Sequence, residues 1–214
     1  MKKNRVRFIP YDEIGKVAKS VLEKYELSEN IPVDIERLLE HKLKINIIPH
    51  PLLLKSNRIN SYTSSDFKDI YVDEYLIDRL EFQYRFTLAH EYGHMVLHKY
   101  FYTNEYKNGF KSINEYKGIL SSISRDEYDR LEYQANCFAG HLLVPTSHLK
   151  NLFKSKLKRY IYSITKEIGK FNREDVVDYI TSIISKELES EFKVHYKAIK
   201  VRIDKEKLAD MIIS

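Results

Sequence analysis

Phe86-Thr87-Leu88-Ala89-His90-Glu91-Tyr92-Gly93-His94-Met95-Val96-Leu97-His98 is the stretch from which the rest of the chain can be read. On an α-helix, residues four apart share a face and lie about 6 Å apart along the axis, so the His90 and His94 rings can reach one metal ion. Glu91 projects at the edge of that face, where it can take a proton from an activated water rather than bind the metal itself. At 100° per residue, Thr87, His90, Glu91, His94 and His98 fall within a sector about 100° wide. The remaining positions are mostly apolar, which predicts a helix buried around most of its circumference.

A single buried histidine more often hydrogen-bonds to its neighbours than binds metal. Two of them at this spacing, with a glutamate between and apolar residues around, point to a metal, because unpaired polar groups are costly to bury. Gly93 costs roughly 0.5–1 kcal/mol relative to alanine inside a helix, so a close approach to the backbone is expected there. His98 lies one turn further along the stripe. It is expected to orient a ligand from behind or to fill the core, since catalytic zinc keeps one position open.

Zn2+ in a hydrolase takes three protein ligands, so one more must come from elsewhere. Downstream acidic candidates are Glu105, Glu115, Asp126, Glu127, Asp129 and Glu132. The segment 126–143 has helical periodicity, with Leu131, Ala135, Phe138, Ala139 and Leu142 on one stripe. Glu132 falls inside that stripe among Ala135, Ala139 and Leu143, small residues that let another helix come close. The bland alternative is a buried Glu132 paired with a cation. Glu127, at the edge of the stripe, is the second choice. Asn136, one turn after Glu132, can orient a ligand.

The run from Arg85 to His98, followed by Glu132-Tyr-Gln-Ala-Asn-Cys-Phe-Ala-Gly-His-Leu-Leu-Val-Pro145, resembles the ImmA/IrrE-type zinc metallopeptidases. The likeness extends over about residues 15–145 and continues weakly over 189–208. It implies His90, His94 and Glu132 as zinc ligands and Glu91 as general base. It also implies a protein substrate, a helix-turn-helix repressor of a mobile element or stress regulon. The chain departs from the family between residues 99 and 126, a long segment rich in Tyr, Asn, Ser and Lys. This reads as an insertion near the cleft, either a lid or a solvated loop. His141 stands where a small residue is expected and points away from the Glu132 face, which makes it structural or exposed.

At 214 residues, 43% hydrophobic and 31% charged, the chain can bury a sizeable core. There is no run of apolar residues long enough to span a membrane and no apolar segment behind the basic start, so neither a membrane nor a secretory route is expected. The one cysteine, Cys137, suits a reducing cytoplasm. Two parts are expected: a zincin-like domain over 1–145 and a basic helical extension over 146–214. That extension carries 15 Lys and Arg against 10 Asp and Glu, while the first 145 residues are balanced. Direct nucleic-acid contact is the less favoured explanation, because solvated helix faces account for such a bias.

The fold class expected is α+β, mainly helical, with a small antiparallel sheet beside the motif helix. Helices are expected at 11–25, 32–41, 76–80, 146–157, 175–192 and 196–213. Strands are expected at 43–48, 60–63 and 69–72, the last two forming a hairpin about Ser64-Ser65-Asp66. The activity expected is zinc-dependent endopeptidase. Its rivals are a non-catalytic regulator with structural zinc that binds a repressor or DNA, and a partner in a toxin–antitoxin-type pair.

Overall fold

Two long helices cross where the sequence is poorest in bulk, and that crossing places the site. The computed structural model describes residues 6–105, 113–167 and 172–212. The chain runs through α1 (Tyr11–Lys24), a π-helical turn (Arg37–Lys42), β1 (Asn46–His50), α2 (Leu53–Asn57), β2 (Ser61–Thr63), β3 (Asp69–Asp73) and α3 (Glu74–Arg79). It continues through α4 (Glu81–Leu97), α5 (Lys99–Glu105), α6 (Ile113–Ser122), α7 (Arg125–Leu143) and α8 (Thr146–Glu167). The last elements are α9 (Arg173–Glu187), α10 (Glu189–Phe192), α11 (Tyr196–Lys205) and a 3-10 turn (Leu208–Ile212). The fold is mainly helical α+β.

α4 is buried on nearly every side, as its composition predicts: Tyr84, Arg85, Thr87, Leu88, Ala89, Glu91, Tyr92, Gly93, His94 and Met95 are all inside. It packs along α7, whose Ala135, Phe138, Ala139 and Leu142 are fully buried. A Cβ on Gly93 would sit 3.2 Å from both the Cα and the carbonyl oxygen of Ala135 and 3.2 Å from Phe138. Only glycine permits that helix–helix approach without a shift. α7 begins with a reciprocal capping box, in which the Ser124 hydroxyl accepts from the Glu127 N–H and the Glu127 carboxylate accepts from the Ser124 N–H.

The sheet has the order β1-β3-β2. β2 and β3 form the hairpin that the turn residues predict, but β1 runs parallel to β3. The expectation of a purely antiparallel sheet is therefore corrected to a mixed one. Between β1 and β2 the chain turns through α2, entered and left by the left-handed residues Leu52 and Arg58. β3 then inserts between the two, with Ile70 and Val72 fully buried. Alternation marks a strand's faces and says nothing of its neighbours, so the sequence could not show this order.

Other boundaries moved for local reasons. The second helical segment starts after Asp34, whose carboxylate accepts from the Arg37 N–H at 3.0 Å, and not at Pro32. α3 starts at Glu74 because Asp73 caps it. α8 runs ten residues beyond the expected end. The expected helix 175–192 is broken at Leu188 into α9 and α10, and the expected helix 196–213 ends at Lys205, before Lys207 turns left-handed. Part of the 99–126 insertion, residues 106–112, lies outside the described residues; its flanks form α5 and α6.

Helices after Pro145 share the hydrophobic core of the first part, through Leu149, Phe153, Ile184, Ile199 and Ile203. Arg202 on α11 is 2% exposed. Its guanidinium donates to Glu206 at 2.9 Å, to the Thr146 hydroxyl at 2.7 Å, and to the Tyr11 hydroxyl. It also lies 3.3 Å from His141 Nε2. His141 is thus enclosed between α1 and α11, and its ring takes the space that a Cβ on Gly15 would need, 2.7 Å away.

Candidate metal centre

His90 and His94 project from one face of α4, and Glu132 meets them from α7. The His90 and His94 Nε2 atoms are 3.0 Å apart. The Glu132 carboxylate lies 3.3 Å from His90 Nε2 and 3.4 Å from His94 Nε2. Among the described residues this is the group of His, Cys, Asp and Glu side chains whose ligand atoms converge closely enough for a metal ion.

The partners of the rings fix their tautomers. Gln134 donates from Nε2 to the Arg7 carbonyl at 3.0 Å, so its Oε1 accepts from His98 Nε2–H at 2.9 Å. His98 Nδ1 is then an acceptor, 3.0 Å from His94 Nδ1, which must donate. His90 Nδ1 donates to Asn136 Oδ1 at 2.9 Å. With Nδ1 engaged in both rings, each Nε2 turns towards the other and towards the Glu132 carboxylate. Three such ligand atoms crowded together suit a cation. Their separations are close to the ~3.3 Å between ligand atoms of a tetrahedral zinc with bonds near 2.0 Å. The residues present therefore fit a metal ion of the zinc type.

Burial and the charge of His94 push His98 down to about 3, which keeps it neutral as the relay requires. Burial alone would raise Glu132, but hydrogen bonds from His90 and His94 outweigh it and hold the carboxyl well below its usual range. Its ionised form is the one that binds metal.

Glu91 is buried, and each of its carboxylate oxygens accepts from a hydroxyl on β2. Ser61 donates to Oε1 at 2.6 Å and Thr63 donates to Oε2 at 2.7 Å. Residues two apart on a strand face the same way, so one short strand delivers both donors. His90, Glu91 and Glu132 line one cavity of about 410 Å³, together with Asn60, Ser61, Tyr116 and Tyr128, while His94 lies buried behind them. Tyr116 belongs to the inserted α6, so the insertion builds part of the cleft wall.

The other acidic candidates are elsewhere. Glu127 is committed to the capping box, which removes it as a third-ligand choice. Glu115, Asp126 and Asp129 are exposed, and the side chain of Glu105 lies outside the described residues. Sequence reasoning missed Ser61, Thr63, Gln134 and Tyr128. Gln134 left a trace, being a polar residue two positions from Glu132 on a helix otherwise rich in core residues. Ser61 and Thr63 left none, since nothing local ties a strand's hydroxyls to a helix thirty residues later. No curated protein matches this chain. The model of the IrrE N-terminal-like domain, a peptidase family, matches residues 40–204, and the chain belongs to that family.

Proposed function

We propose that this protein is a cytoplasmic zinc-dependent endopeptidase whose substrate is a DNA-binding repressor of the helix-turn-helix class. The single observation that carries the enzymatic part is the convergence of two imidazole Nε2 atoms and an ionised carboxylate beside a separately held Glu91. His90, His94 and Glu132 would hold the ion. When bound, zinc there lowers the pKa of water and polarises the scissile carbonyl.

Glu91 accepts a proton from the attacking water as its oxygen bonds to the carbonyl carbon. It passes that proton to the amide nitrogen as the carbon–nitrogen bond breaks. Tyr128, one turn before Glu132, brings a phenol to the cavity wall. Burial first, then the charges of Glu132, Asp129 and Glu91, raise its pKa, so it stays protonated and can donate to the developing oxyanion. β2 lies at an edge of the sheet, and Asn60 just before it and Ser61 at its start line the cleft. An extended substrate paired there would have its peptide bond held near the metal.

A regulator with structural zinc has no use for a base clamped by two hydroxyls and kept out of the ligand set. The basic C-terminal segment also spends much of its charge internally: Lys156 and Arg159 reach Glu187, Lys150 reaches Glu206 and Lys200 reaches Asp178. That favours a protein substrate over nucleic acid. No helix among the described residues is long and apolar enough to cross a membrane. The deciding experiment incubates the purified protein, zinc and helix-turn-helix repressors from the same genome, any encoded beside its gene first. A discrete fragment that chelator and Glu91→Gln both abolish is the expected result. Tight binding without cleavage would remove the peptidase reading.

A further inference from the structure

We propose that an apolar groove at the start of α4 receives the substrate chain as it leaves the cleft, and that it selects an apolar side chain flanked by a carboxylate. The proposal rests on the peptidase reading above and adds a specificity site to it. The groove encloses about 660 Å³ between the α3–α4 corner and the turn before α11. Leu80, Phe82 and Phe86 line one side and Ala198 the other, with the fully buried Val194 behind it. Apolar surface facing an open groove favours an apolar occupant, because covering it releases the water held against it.

Continuity with the cleft says what that occupant is. Gln83 and Phe86 line both the groove and the metal-centre cavity, so a polypeptide leaving one enters the other. Phe86 is one turn before His90 and Phe82 is two. At 1.5 Å per residue Phe82 lies about 12 Å from His90 along the helix axis. An extended chain covers that distance in about four residues. The selected side chain therefore stands about three to five residues from the bond that is cut.

Charge at the rim gives the flanking preference. Arg79, His195 and Lys197 surround the groove. Glu81, the acidic group of the rim, is already engaged by Lys193 at 2.8 Å. A carboxylate beside the apolar residue meets this basic rim.

The groove is also built in advance. The Lys193–Glu81 pair pins the turn before α11 to the start of α4. Arg85 reinforces it by donating to the Lys193 carbonyl at 3.3 Å and to the Val33 carbonyl at 2.6 Å. A pre-formed wall spares the ordering cost that a loose one imposes on binding. Residues 194–198, after the metal-binding helices, thereby take a share in substrate choice.

The test reads binding, so it does not depend on turnover. A phage-displayed library of random dodecapeptides is selected on the immobilised, zinc-loaded full chain carrying Glu91→Gln. The same selection is run with Ala198→Trp added, which fills the groove, and with Lys197→Glu added, which alters only the rim. The first protein should enrich peptides with an aromatic or large aliphatic residue next to Asp or Glu. Ala198→Trp should cut that enrichment at least tenfold. Lys197→Glu should keep the apolar choice and abolish the acidic one, with zinc content and melting temperature unchanged. No such motif on the parent, or a motif equally enriched on Ala198→Trp, would overturn the proposal. Failure of the peptidase reading would show separately, as absence of chelator-sensitive cleavage by the unsubstituted protein.

Discussion

The Ser61 hydroxyl donates to Glu91 Oε1 at 2.6 Å, so the carboxylate proposed as the base is held by a strand and not by the helix that carries it. Thr63 holds the second oxygen in the same way. Removing both hydroxyls by Ser61→Ala with Thr63→Ala leaves the ligands untouched and the base free to rotate. Cleavage should fall about 10–100-fold, the usual cost of losing an orienting partner, with zinc stoichiometry unchanged. The exchanged pair Ser61→Thr with Thr63→Ser keeps both donors and should retain most activity. Full activity in the double alanine variant would show that Glu91 needs no such support.

Glu132 and Glu127 separate a ligand from a cap. Glu132→Ala should sharply reduce the zinc bound per chain, measured by atomic absorption on dialysed protein. Glu127→Ala should leave zinc intact and lower stability by about 1 kcal/mol through the lost capping box. The opposite pattern would move the metal centre.

Tyr128→Phe deletes one hydroxyl from the cavity wall. If that hydroxyl stabilises the oxyanion, kcat should drop about 100-fold while KM and zinc content hold. An unchanged kcat would pass the role to Tyr116 or to the metal alone.

His141 predicts a pH dependence. Burial first, then the Arg202 charge, lower its pKa to about 4 against Glu206, which acts in the other direction; the Tyr11 ring packs against it at 4.5 Å between centroids. The unfolded chain takes up this proton near pH 6.5 and the folded chain only near 4. Stability is therefore full above about pH 6.5 and lost as pH falls from there towards 4. At pH 5 the loss is on the order of 1 kcal/mol after allowing for partial solvation, or about 2–4 °C in Tm. His141→Gln should narrow the Tm difference between pH 7 and pH 5 by that amount. An identical difference would mean that other groups dominate the acid limb.

How much of this was legible in the sequence depended on distance along the chain. His90, Glu91 and His94 are neighbours, so a helical wheel sufficed. Glu132 could be chosen because its surroundings on α7 were small and apolar, the mark of a helix meant to be approached. Asn136 and His98 were recognisable as helpers, although His98 is itself held by Gln134, which was not named. The parallel placing of β1, the hydroxyls of β2 and the groove beside Phe82 depend on contacts between distant segments. No periodicity records those. For the same reason the sequence left His141 as either structural or exposed, and its enclosure by Arg202, sixty-one residues later, makes it structural.

Gly93 stands between the two histidines on α4, and the Ala135 it touches stands three residues from Glu132 on α7. The contact works as a spacer that sets how far the imidazoles stand from the carboxylate. Gly93→Ala would wedge a methyl group against backbone atoms 3.2 Å away, and one of the two helices must yield by a few tenths of an ångström. Zinc affinity should therefore weaken on substituting a residue that never touches the ion, and a competitive chelator titration would measure it.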